Sequence, residues 1–394
     1  MAASRGLAAA GSRESGMPRP RAGSLPPAAA ARREARVLRR GRQEGELRAA
    51  RQVWSELSPD QQWSVAEEVV RTRAGELRLA YPDIVSIGHG HASRGHGAAR
   101  RFGTEVAVCL MVRKKWSATS RLRASARALP KLLLACCSLG GERQLCAVPT
   151  DVAAADDYKA VRPHQGGSAL VEADAPLGGE RGVIGCVVKV PGGGDQYFAL
   201  GCLHVLALAA EYYPEYPPGA TLSLASNAAA MGALSGYLGV LQEAPELSFD
   251  AALAAVSNRQ VLNQAAIKPR PGSFAMSPGQ VPDGYDIWTG NGPISVLKQV
   301  VWGPEHPLPY ELGGGIVQVV HTAVIESETP QGAPTTHGDS GSPVVSSDGQ
   351  MLLGMHIAGD GTAAFMIPAY ELLRCDNYIG GLPSGQLLSL DNTY

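Results

Sequence analysis

Apolar positions change their period along the chain. From Glu46 to Leu79 they recur at helical spacing, with Trp63, Val65, Ala66, Val69 and Val70 on one side. Ser58-Pro59-Asp60 offers a cap followed by proline at the first helical position, so a helix is predicted to start there. Beyond Pro82 the period shortens. Residues 84–87 and 106–112 read as strands joined by a Gly/His loop, and 144–151 is a third extended piece. From about Gly182 onward short apolar runs alternate with Gly and Pro, at 183–190, 197–200, 251–256, 294–302, 315–325, 342–345 and 351–357. So many short strands without long helices between them predict an all-β barrel or sandwich. The expected domains are therefore a tail over 1–48, a small α/β unit over 49–155, and two β units over 165–262 and 263–385. The proline-rich stretch 257–282 forms the connection between the last two.

Composition changes this picture at the N-terminus. Residues 1–48 hold eleven Arg and four acidic residues, with no Lys or Asp, among Ala, Gly, Ser and Pro. Such a stretch builds no packed core and is expected to be disordered. It fits an organellar transit segment or, the favoured reading, a solvated tail. No apolar secretory core follows the first basic residue, which predicts a cytoplasmic protein. The 394 residues are 45% hydrophobic and 18% charged, with a formal net charge of -1. This rules out a fully disordered chain and offers no basic field for nucleic acid. No apolar run approaches the roughly 20 residues of a membrane span. The seven cysteines form no CxxC pair, and their odd number reads as free thiols, with a Cys186–Cys202 disulfide left open.

The strongest chemical signal is Gly338-Asp339-Ser340-Gly341-Ser342-Pro343, set before the apolar Val344-Val345. A serine hydroxyl is a weak nucleophile until a base adjoins it and donors await the oxyanion. Glycines on both sides of Ser340 let the backbone turn tightly and approach a substrate. Nine histidines compete for the part of base, and His204 stands out because it sits in the apolar stretch Gly201-Cys202-Leu203-His204-Val205-Leu206. An imidazole there requires a polar partner. Asp250, in Phe249-Asp250-Ala251-Ala252-Leu253-Ala254, lies at the start of an apolar strand, a costly place for a carboxylate unless it orients a histidine.

The order His204, Asp250, Ser340, together with the GDSGSP box and the D-A-A-L-A strand, resembles the chymotrypsin-like (trypsin-like) serine proteases over roughly residues 182–370. The resemblance implies a mainly β fold of two six-stranded antiparallel barrels. It assigns the nucleophile to Ser340, the general base to His204 and the orienting carboxylate to Asp250, with backbone N–H groups of Gly338 and Ser340 as the oxyanion hole. The chain departs from the family in Cys202-Leu203-His204-Val205, where Ala-Ala-His-Cys is usual, and in lacking cysteines around the nucleophile. Residues 85–90, 112–115 and 148–152 resemble, more weakly, the N-terminal extension of some bacterial and plant intracellular members. Leu353-Gly354-Met355-His356-Ile357-Ala358-Gly359 resembles the pocket strand of glutamyl endopeptidases and picornavirus processing proteases. With Thr335 it implies a substrate pocket of Thr335, His356 and Gly359 that takes Glu or Gln, since residues 333–337 hold no acid for a basic side chain. Asp339 is expected to find an internal partner, and the protein to be active without processing.

Weaker constellations add little. His89, His91 and His96 are expected as solvated loop residues rather than a zinc site, because no acid or thiol completes the shell. Arg100, Arg101, Arg113, Lys114 and Lys115 lack interleaved aromatics and read as a solvated strand edge. Gly313-Gly314-Gly315 precedes no Lys-Ser/Thr and is no phosphate loop. The expectation is thus a serine endopeptidase acting on a protein or peptide, without metal or cofactor, nucleic acid or membrane. The rivals are a catalytically inactive protease-like scaffold that binds peptides, and a hydrolase of small esters.

Overall fold

The computed structural model describes residues 43–95, 100–113, 128–139, 141–155, 170–173, 181–206, 221–224, 230–241, 247–257, 270–282, 284–289, 292–312, 315–330, 335 and 338–391. Its contacts divide the chain into two compact units, Met1–Ala49 and Ala50–Tyr394. The expected tail lies outside the described residues as far as 42, and 43–49 is helical. All elements below belong to the second unit.

After a helical stretch over 50–56 comes α1 (Pro59–Ala80). It starts where the cap signal places it. Ser58 Oγ accepts from Gln61 N at 3.3 Å, and Ser58 N donates to Gln61 Oε1 at 2.9 Å, so two end groups of the helix satisfy each other. Pro59 occupies the first turn, where its missing N–H costs nothing. Ala66, Val69 and Leu77 are buried, in one cluster with Ile87, Val108, Leu110 and Val148 of the strands that follow.

Those strands are β1 (Ile84–Arg94), β2 (Arg101–Val112), β3 (Leu132–Leu139) and β4 (Glu142–Ala154). Next come β5 (Leu170–Ala173), β6 (Arg181–Val183), β7 (Cys186–Lys189), β8 (Tyr197–Gly201), the one-turn helix α2 (Leu203–Leu206), β9 (Thr221–Leu224), β10 (Ala230–Val240) and β11 (Phe249–Val256). The remainder is β12 (Ser273–Phe274), β13 (Tyr285–Thr289), β14 (Gly292–Val296), β15 (Gln299–Trp302), β16 (His306–Leu312), β17 (Gly315–His321), β18 (Val324–Glu328), β19 (Pro343–Ser346), β20 (Met351–Gly359), β21 (Ala363–Pro368) and β22 (Ser389–Leu390). The class is mainly β.

A 12-stranded mixed sheet runs β14-β13-β19-β20-β21-β18-β15-β1-β2-β4-β3, with β12 beside β20. An eight-stranded sheet runs β22-β7-β8-β11-β10-β9-β5-β6, and β16 with β17 makes a separate hairpin. Among the described residues neither long path closes into a barrel. One apolar cluster joins the two sheets, combining Val187, Leu200 and Leu253 with Met355, Ile357 and Phe365.

Several expectations change here. The Gly/His stretch is part of β1 rather than a loop, with His89 opposite Val108 on one side and Val301 on the other. Its glycines serve close strand approach, since a Cβ on Gly88 would overlap the Val301 carbonyl and one on Gly90 that of Gln299. The run 294–302 is two strands, because β14 pairs with β13 while β15 pairs with β1 and β18. The run 315–325 is likewise divided, β17 pairing with β16 and β18 with β15 and β21. The connection 257–282 carries β12 and a 3₁₀ turn, Pro278–Gln280, with 258–269 outside the described residues.

Candidate functional site

Strand register brings His204 and Asp250 together. β8 and β11 pair antiparallel with Gly201 opposite Ala252, and continuing that register past Gly201 sets the α2 turn against Phe249 and Asp250. The turn is closed by Val205 N and Leu206 N, which both donate to Cys202 O, at 3.2 and 2.9 Å. His204 is 4% exposed and Asp250 fully buried. The carboxylate grips the histidine twice, accepting from His204 N at Oδ1 (3.0 Å) and pairing with His204 Nδ1 at Oδ2 (2.7 Å). Burial would raise the Asp250 carboxyl, but the His204 charge and these hydrogen bonds outweigh it and hold the group below its ordinary value. An ionised Asp250 makes Nδ1 the donor and leaves Nε2 as the acceptor. Nε2 is buried and has no hydrogen-bond partner among the described residues.

Ser340 lies in the turn before β19. Gly338 (φ 98°) and Gly341 (φ 93°) both take the left-handed conformation, and a Cβ on Gly341 would overlap the Val183 carbonyl. Ser342 N donates to Asp339 O (2.9 Å) and Gly341 N to His356 O (2.8 Å), while Val183 N donates to Ser340 O (2.8 Å). Two contacts tie this turn to the His204 side. The His356 carbonyl also accepts from Cys202 Sγ at 3.4 Å. Gly182 fits between the two, for a Cβ there would stand 2.5 Å from Val205 Cγ1 and 2.9 Å from Ser340 O. The hydroxyl itself is fully buried and donates to Ile357 O at 3.1 Å, so the Ser340–His204 hydrogen bond is not made in this arrangement.

The pocket residues are likewise buried. His356 is in β20, where burial pushes its imidazole down to about 3 against the opposing effect of the Phe365 backbone, and the His204 charge lowers it further. Thr335 Oγ1 is buried without a hydrogen-bond partner, so it does not bond His356. Gly359 ends β20, opposite Ala364. His89 and His91 are buried against the Trp63 ring at 5.1 and 5.8 Å, not solvated as expected, because β1 turns them under α1. His96 and His337 lie outside the described residues.

Three further groups surround the pair. Cys202 Sγ falls within 4.8 Å of the His204 and Asp250 ligand atoms, the geometry of a small cation cluster. Burial and the Asp250 charge push its thiol well above the usual range, and His204 Nδ1 is already committed to Asp250, so the set suits a hydrogen-bonded dyad better than a metal. Tyr310 Oη donates to Asp250 Oδ2 at 3.2 Å, and His321 packs on the Tyr310 ring at 5.4 Å. Both come from the β16–β17 hairpin. Alternation of Leu308 and Tyr310, then Val319 and His321, around Gly313-Gly314-Gly315 is a hairpin signal in the sequence itself.

No protein-family model matches this chain, and no curated protein matches it.

Proposed function

We propose that the protein is a serine endopeptidase of the chymotrypsin-like kind, using Ser340, His204 and Asp250. The observation that carries this reading is the buried His204, bound twice by Asp250 and presenting an unpartnered Nε2, beside a GDSGSP turn. On this reading the eight-stranded sheet and the β12–β21 part of the larger sheet play the parts of the two barrels, one holding base and acid, the other the nucleophile.

Ser340 Oγ exchanges the Ile357 carbonyl for His204 Nε2 and attacks the substrate carbonyl as Nε2 takes its proton. Asp250 steadies the imidazolium without being protonated. The oxyanion goes to the backbone N–H groups of Gly338 and Ser340. His204 then returns the proton to the leaving amine, and water repeats the sequence on the acyl-enzyme. A neutral His356 and the unpartnered Thr335 hydroxyl favour Glu or Gln before the cleaved bond.

A fluorophosphonate probe followed by intact-mass analysis tests this. One adduct is expected, on Ser340, absent in Ser340→Ala and suppressed in His204→Ala. A peptide library then reports cleavage after Glu or Gln, and a profile led by Lys, Arg or large apolar residues would sink the pocket assignment. The buried Ser340 bonded to Ile357 O favours one alternative, a protease-like scaffold that binds peptides without cutting them. Peptide binding with no adduct on Ser340 would select it.

A further inference from the structure

We infer that Tyr310 is a positioning residue, which acts through Asp250 to set the proton affinity of His204; its catalytic meaning rests on the hydrolase reading above. Asp250 Oδ2 receives two donors, His204 Nδ1 at 2.7 Å and Tyr310 Oη at 3.2 Å. The tyrosine arrives from outside the sheet that carries His204 and Asp250, on β16 of the separate hairpin. Tyr310 is fully buried, with its ring edge-on to His204 at 6.1 Å and against His321 at 5.4 Å. Burial and the Asp250 charge keep its hydroxyl protonated, well above the usual range, so it stays a donor.

The titratable groups facing Asp250 are His204 from α2, Cys202 before it, Tyr310 from β16 and His321 from β17. His321 and His356 in turn feel the His204 charge. Both of these are held neutral near pH 7, His321 at about 4 and His356 at about 3, chiefly by burial. Tyr310 is therefore the one group among these that modulates the carboxylate by donating to it from beyond the histidine.

The sign follows from the hydrogen bond. Tyr310 draws charge from Oδ2 and makes the carboxylate a weaker partner for the imidazolium. Removing the hydroxyl concentrates that charge on His204, so its pKa rises. Tyr310→Phe, which keeps the ring, is expected to raise the His204 imidazole pKa by about half to one unit, read by NMR titration and assigned against His204→Gln. In the active enzyme the acid limb of kcat/KM moves up by the same amount, and kcat falls about tenfold with KM little changed. A purely packing role would lower the folded fraction and leave the titration where it was. Fluorinated tyrosine placed at position 310 keeps the ring and donates more strongly, so it shifts His204 downward and supplies the test if Tyr310→Phe does not fold. An unmoved His204 titration in either protein overturns the inference. The NMR readout needs no turnover, so a failure to label Ser340 would reject the hydrolase reading separately.

Discussion

Asp250 offers two oxygens to His204, one to the backbone N–H and one to the ring, and this division predicts how its isosteric replacement fails. In Asp250→Asn the amide oxygen serves one of those donors while the NH₂ faces the other. If the oxygen keeps the backbone N–H, the ring meets a donor and turns into the tautomer whose Nε2 carries hydrogen. Ser340 then has no acceptor for its proton. The expected loss in kcat is on the order of 10⁴, the effect of this change in a chymotrypsin-type triad, with a folded protein by near-UV circular dichroism. Retained turnover would show that Asp250 is structural. The pairing was legible because a carboxylate and an imidazole in apolar runs each demand a partner, and only a few aspartates lie between His204 and the nucleophile box. Tyr310 and Cys202 were not legible as members. A buried tyrosine or thiol is ordinary in a core, and only the register of a hairpin distant in sequence brings Tyr310 to Asp250.

Several strands were recognisable as apolar runs ended by Gly or Pro, while corners between apolar runs and glycines with a second purpose were misread. In β1 the glycines admit the backbone of β15, and in β10 a Cβ on Gly232 or Gly239 would overlap backbone carbonyls of β11. Composition alone marks such positions as loops. The GDSGSP turn is the case where the conformational reading and the structure coincide, with Gly338 and Gly341 both at positive φ. A substitution separates strain from overlap there. Gly361 also has positive φ (84°), but a Cβ would meet nothing within 4 Å. Gly361→Ala is expected to cost about 1–2 kcal/mol, the penalty of the left-handed conformation alone. Gly341→Ala adds a clash with the Val183 carbonyl and breaks the Val183–Ser340 hydrogen bond. Its melting temperature should fall well below that of Gly361→Ala, and probe labelling of Ser340 should disappear even where the protein stays folded. Equal melting temperatures for the two variants would show that the turn yields without cost.

At the scale of the whole molecule, helix α1 and strands β1 to β4 join the large sheet through β15, and a buried ion pair reinforces that join. Arg100 pairs with the fully buried Glu326, which also accepts from Trp302 Nε1 at 2.9 Å. No pattern in a sequence announces such a join, because β1 and β15 are some 200 residues apart and each reads as an ordinary apolar run. No helix among the described residues is long and apolar enough to cross a membrane. The assembly buries histidines on several elements, and this sets its response to acid. Burial lowers His89 to about 4, His321 to about 4 and His356 to about 3, against an ordinary value of 6.5. In the unfolded chain these imidazoles take up protons as pH falls through 6.5, while in the folded protein they stay neutral until about 4 or below. The unfolded state therefore binds more protons throughout that window, and stability must fall as pH is lowered across it. Each group contributes at most about 1.4 kcal/mol per pH unit, and three together about 4. Over the window from 6.5 to about 4 the three together remove at most about 10 kcal/mol, comparable with a whole reserve of about 5–15 kcal/mol. The depressed Asp250 acts in the same direction, its contribution being present above its unfolded value near 4 and lost below it. Thermal melts should thus show a steep fall in melting temperature between pH 6.5 and 4, with little change from pH 7 to 8. His321→Gln and His356→Gln should each flatten the slope by about a quarter, since burial also holds His306 well below its ordinary value, even if they lower stability at neutral pH. A melting temperature constant from pH 7 to 5 would mean that these imidazoles reach water or a partner, and that the core around the His204 site is open.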